Sequence, residues 1–159
     1  MDEEKVTQEE SQEEVKEETQ SPSEESQTPA NSQDDKPILV VEDDKFLREL
    51  LIRKLDSEKM DTVAAIDGSE AIAKAKEVSP KIILLDLILP SMDGFDVLKE
   101  LKSDETTKDI PVIILSNLGQ KEEVEKGLSL GAEDYLIKAH FTPDEIIAKI
   151  QKVIQNKKS

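Results

Sequence analysis

The sequence predicts an α/β protein built on a doubly wound parallel sheet, because five short apolar runs alternate with five amphipathic stretches between Pro37 and about residue 156. The strongest runs show no polar alternation, as expected of strands buried on both faces. Four of the runs also end in a polar group: Glu42 and Asp43, Asp86, Ser116, and Lys138. Parallel strands deliver such ends to one edge, where open α/β sheets bind their ligands.

The first strand is Ile38-Leu39-Val40-Val41, followed by Glu42-Asp43-Asp44. Asp44 can cap a helix over about residues 45–57, with Leu47, Leu50, Leu51 and Leu55 at helical spacing and Arg48, Glu49, Arg53 and Lys54 facing outward. A weaker strand over about 61–65 leads to a turn at Asp67-Gly68. Residues 69–78 form the second helix, with Ala71, Ile72, Ala75 and Val78 inward, ended by Ser79-Pro80. Ile82 to Leu85 is the central strand and leads straight into Asp86, after which Pro90 and Asp93-Gly94 impose turn chemistry.

The third helix carries Val97, Leu98 and Leu101, and the fourth strand, Val112 to Leu115, delivers Ser116 and Asn117. A fourth helix near 121–130 stops at Gly131, a left-handed terminator. Tyr135-Leu136-Ile137 is the fifth strand, ending at Lys138. Thr142 caps and Pro143 starts the last helix, striped by Ile146, Ile147, Ile150, Val153 and Ile154 and ending near Gln155.

Charge divides the chain. Its 159 residues carry a formal charge of -16, and residues 1–36 alone hold 13 acidic and 3 basic side chains. That stretch is too polar to bury a core and is expected to be a disordered acidic tail, followed by one folded domain over 37–156 and a short end at 157–159. Strong acidity argues against DNA as a partner. With no Cys and one His, His140, thiolate and His-rich metal sites are excluded. There is no signal-peptide pattern and no apolar run near the roughly 18 residues of a membrane span, so a soluble cytoplasmic protein without membrane insertion is expected.

If the first and third strands are neighbours, Glu42, Asp43 and Asp86 crowd together and repel one another unless a cation intervenes. Oxygen-only ligation favours a hard ion, Mg²⁺ above all. A hydroxyl at Ser116 and an ammonium at Lys138 suit the far side of a phosphoryl group.

Four segments, I-L-V-V-E-D-D at 38–44, L-L-D-L-I-L-P-S-M-D-G at 84–94, I-L-S-N at 114–117 and Y-L-I-K at 135–138, together resemble the receiver domain of two-component response regulators. The resemblance covers the whole folded part. It implies a flavodoxin-like sheet of order 2-1-3-4-5, with Asp86 as phosphoacceptor and Glu42 and Asp43 as the acidic pair for Mg²⁺, Asp43 being the direct ligand of the two. The backbone carbonyl of Ile88 is implied as a further ligand, Ser116 as the switch hydroxyl, Lys138 as the phosphate-pairing lysine and Tyr135 as the aromatic switch.

Implied partners are a sensor histidine kinase or histidine phosphotransfer protein and a downstream protein on the face of the fourth helix, fifth strand and fifth helix. The short segment after the last helix leads to the expectation of a stand-alone regulator, a switch and not an enzyme. A phosphorylation-independent adaptor and a Mg²⁺-dependent phosphatase are the alternatives. The second lacks a further acid two residues after Asp86, where Ile88 stands.

The chain departs from the family pattern where Ala139 replaces the usual cis-linked Pro after the lysine. Either the site offsets a non-proline cis bond, costing about 2.5 to 4 kcal/mol, or the loop runs trans. Ile88 and Leu118 are apolar at positions that govern access of water, so slow self-dephosphorylation is expected, with Asn117 restricting access further. His140 reads as a surface loop residue.

Overall fold

The computed structural model describes residues 35–158. The expected acidic tail lies outside the described residues except for its last two.

Five strands, β1 (Ile38–Val41), β2 (Thr62–Ala65), β3 (Ile82–Leu85), β4 (Val112–Ser116) and β5 (Asp134–Ile137), form one parallel sheet of order β2-β1-β3-β4-β5. The helices are α1 (Lys45–Ser57), α2 (Gly68–Val78), α3 (Gly94–Ser103), α4 (Lys121–Ser129) and α5 (Pro143–Lys158). The predicted architecture and strand order are both observed.

Apolar runs become central strands because successive side chains point to opposite faces, and here both faces are covered. Leu39, Val41, Ile83, Leu85, Val112 and Ile114 join one core with Ala71, Ala75, Val97, Leu98 and Leu101 from α2 and α3. Ile38, Val40, Ile82, Leu84, Ile113 and Leu115 join the other with Leu51 and Leu55 of α1 and Ile146, Ile147 and Ile150 of α5. The Thr-Val-Ala-Ala strand β2 is an edge, and only Ala65 in it is fully buried.

Caps fix where the helices begin. Asp44, Asp67 and Asp93 accept from Leu47 N, Glu70 N and Phe95 N, an arrangement that contributes about 1 kcal/mol per cap. At α5, Glu145 N donates to Thr142 Oγ1 at 3.1 Å while Thr142 N donates to Glu145 Oε1 at 2.8 Å, a reciprocal capping box. Gly131 has φ +112°, so the chain leaves α4 through the left-handed region as expected. The last helix runs beyond Gln155 to Lys158, since Asn156, Lys157 and Lys158 offer no glycine or proline to stop it.

A 3-10 turn over Lys138–His140 was not expected. No peptide among the described residues is cis, so the Lys138-Ala139 link is trans.

Candidate functional site

The register of the sheet builds the site. Val41 pairs with Leu85, so the next residues, Glu42 and Asp86, emerge side by side at the carboxyl edge. Asp86 N donates to Val41 O at 3.0 Å and Glu42 N to Ala65 O at 3.0 Å, so both backbones are still held by the sheet where the side chains turn into the pocket.

Carboxylate oxygens of Glu42, Asp43 and Asp86 lie within 4.8 Å of one another. Glu42 and Asp86 are 2% and 4% exposed, whereas Asp43 is exposed. With Asp44, Ile88, Asn117 and Lys138 they line an open pocket of about 330 Å³. A larger cleft of about 360 Å³ and a smaller one of about 290 Å³ lie along α5 and share no lining residue with it.

Lys138 reaches the same pocket from the end of β5. Its Nζ is 2.9 Å from Glu42 Oε1 and 3.0 Å from Asp86 Oδ2. The trans loop therefore still presents the amine to Asp86. Burial on its own would lower the Lys138 pKa, but its hydrogen bonds to Glu42 and Asp86 and their charges outweigh burial and raise it. Burial raises the pKa of Glu42; the Lys138 hydrogen bond opposes this, and the nearby Asp86 charge adds to it. One ammonium thus serves two buried acids, and a third acid stands beside them.

Glu42 Oε2 also accepts from Asp44 N at 3.1 Å, and Asp86 Oδ1 accepts from Ile88 N at 3.2 Å. The loop after Asp86 folds back until Gly94 N donates to Leu87 O at 2.9 Å. A Cβ at Gly94 would stand 2.3 Å from Leu87 Cα and 2.8 Å from the Asp86 carbonyl, so only glycine lets the loop close this tightly.

Ser116 is fully buried, and its Oγ accepts from Leu118 N at 3.2 Å. Tyr135 is turned inward at 8% exposure, with its hydroxyl donating to the Leu118 carbonyl. Burial raises its pKa, as does the charge of Glu123, while a hydrogen bond with Ser116 opposes them. The residue implied as the aromatic switch therefore faces inward in the unphosphorylated chain. Leu118 is half-buried against the core, while its neighbour Asn117 is exposed on the pocket wall.

One residue of the site's surroundings was missed. Arg48, placed on the outer face of α1 by periodicity, sends Nη1 back to the carbonyls of Glu42 at 2.9 Å and Asp43 at 3.2 Å. A signal existed, because helical side chains lean toward the helix N-terminus and Arg48 lies one turn after Asp44.

This donor set fits a hard divalent cation. Three oxygen ligands converge, two of them buried, and a single cationic side chain offsets them.

The family model for the response regulator receiver domain matches residues 38–151. The chain belongs to that family. Receiver domains are signalling modules of two-component response regulators, and this one is 38% identical over 118 residues to the "DNA-binding dual master transcriptional regulator RpaA" of Synechocystis, covering 74% of this chain and 48% of that protein. It is 40% identical over 114 residues to the "DNA-binding response regulator MtrA" of Mycolicibacterium smegmatis, covering 72% and 48%. Among solved structures, the Francisella response regulator 1452 receiver domain matches with a TM-score of 0.71 and 33% identity over 77% of this chain and 98% of that one.

The chain spans about half the length of the curated relatives it matches. These relatives correct the expectation that DNA is no partner. It rested on net charge, but 13 of the acids lie in residues 1–36, and the charge of a receiver says nothing about what a regulator's other half binds. Among the described residues, no helix is long and apolar enough to cross a membrane.

Proposed function

We propose that this receiver domain takes a phosphoryl group on Asp86 from a phosphohistidine, as the input step of a two-component regulator. The observation that carries the reading is the convergence on one pocket of Asp86, two further carboxylates and the Lys138 amine at 3.0 Å. An Asp86 oxygen attacks phosphorus, a P–O bond forms as the P–N bond to imidazole breaks, and the nitrogen lone pair returns to the donor ring.

Asp43, Asp86, Glu42 and the Ile88 carbonyl would hold Mg²⁺, with Asp43 free to bind directly and Glu42 engaged by Lys138. When bound, the ion supplies positive charge for the phosphoryl oxygens. Lys138 exchanges its contact with the Asp86 carboxylate for one with the transferred group, so its charge stays paired through the step. Ser116 and Tyr135 read the outcome: a dianion on Asp86 draws the proton of the Ser116 hydroxyl, whose oxygen accepts from Leu118 N, and Tyr135, inward already, holds the rearranged loop through the Leu118 carbonyl.

Intact-mass measurement with acetyl phosphate and Mg²⁺ tests the proposal. Wild type should gain one phosphoryl group and Asp86→Asn none; an unchanged wild-type mass rejects the reading in favour of a passive adaptor.

A further inference from the structure

Arg48 makes contacts that helix stability does not explain. The first turn of α1 holds no acidic residue and carries Lys45 and Arg48 instead, cations where the helix dipole favours anions. The Arg48 guanidinium is committed to the loop before the helix, where Nη1 donates to the carbonyls of Glu42 and Asp43. Its own backbone N donates to Asp44 O at 2.9 Å, the first bond of the helix, so the reach back to residues 42 and 43 is made by the side chain alone.

That segment presents two of the three clustered carboxylates. Glu42, Asp43 and Asp86 repel one another; Asp86 N is held by Val41 O and Glu42 N by Ala65 O, so the less constrained part is the backbone just after Glu42, which carries Asp43. We propose that Arg48 is a positioning residue for the acidic loop: by holding the two carbonyls it keeps the Glu42 and Asp43 carboxylates converged on Asp86 before any ion arrives. The inference rests on the metal-assisted phosphoacceptor reading of the same pocket. Arg48 touches neither the pocket nor a ligand and acts through the loop. A planar guanidinium can span adjacent carbonyls, whereas a lysine ammonium in the same place offers a point charge on a flexible stem.

The test uses the full unphosphorylated chain. Mg²⁺ binding is measured by calorimetry for wild type, Arg48→Met, Arg48→Lys and Lys54→Met, the last a control on the same helix that loses the ion pair to Asp144 remote from the pocket. Amide hydrogen exchange of residues 42–44 is followed without metal.

Removing a group that orients metal ligands typically costs about 10-fold to 100-fold in affinity, so Arg48→Met should weaken Mg²⁺ by at least about 10-fold. Arg48→Lys should fall between it and wild type, and Lys54→Met should bind as wild type does. The metal-free Arg48→Met loop should exchange faster while the sheet amides keep their protection. Equal affinity in wild type and Arg48→Met overturns the inference, as does equal weakening by Arg48→Met and Lys54→Met. Wild type that binds no Mg²⁺ overturns it together with the metal reading; wild type that binds Mg²⁺ but is never phosphorylated overturns the proposed function alone.

Discussion

The Lys138 amine stands 3.0 Å from the Asp86 carboxylate although 52 residues separate them in the chain. The same amine is 2.9 Å from Glu42, so one cation links β1, β3 and β5 at the edge of the sheet. Lys138→Met leaves two buried acids without that partner, and an unpaired buried polar group costs about 1–3 kcal/mol, more when charged. Urea denaturation at neutral pH without metal should show a loss of at least about 1 kcal/mol, partly restored by Mg²⁺.

Glu42 gives the fold a pH dependence of known sign. Its folded pKa is raised above 4.5 by burial and by Asp86, so between 4.5 and that raised value the folded state holds more protons than the unfolded chain. Stability from this group is present below 4.5 and is lost as pH rises through the folded pKa. Metal-free Glu42→Gln should therefore be at least as stable as wild type at pH 7, with the advantage shrinking toward pH 4.5. Denaturant midpoints across that range check it.

Tyr135 owes its inward position to a residue on another element. A Cβ at Gly127 of α4 would lie 2.6 Å from Ile114 Cδ1 and 3.0 Å from Tyr135 Cδ2. Ile114 is fully buried, so overpacking at about 1–3 kcal/mol should exceed the helix-propensity gain of about 1 kcal/mol from Gly127→Ala. Tyr135 is the only tyrosine and there is no Trp, so its fluorescence reports one site. Acrylamide should quench it more strongly in Gly127→Ala than in wild type.

Ile88 lines the pocket at 56% exposure and offers no side-chain hydrogen bond to a water. Given phosphorylation at Asp86, Ile88→Asn should speed decay of the phosphorylated form several-fold, and about 100-fold if the amide assists proton transfer fully. Leu118 packs against the core, accepts from the Tyr135 hydroxyl through its carbonyl and does not line the pocket, so Leu118→Glu alone should perturb the Tyr135 contact more than the decay rate. Single-turnover decay of each variant separates the two.

The sheet was legible because its apolar runs stop abruptly at charged or hydroxyl residues, and parallel register then collects those residues without further information. Glu42, Asp86 and Lys138 could be placed for that reason. The 138–140 turn was not legible, because Ala139 removes the proline that would have marked a turn. Helical periodicity put Arg48 on the outer face but ignored its length, which lets it reach back one turn and leaves it half-buried. Tyr135 was named from the sequence, but its inward setting was not legible, since it uses the space that the missing side chain of Gly127 leaves, a tertiary accommodation.

Locating the phosphoryl group tests the central claim most directly. Borohydride converts an aspartyl phosphate to homoserine, so peptide masses after acetyl phosphate, Mg²⁺ and borohydride report the modified residue. Homoserine at position 86 is the expected result; conversion at Asp43 or another carboxylate, or none at all, would contradict it.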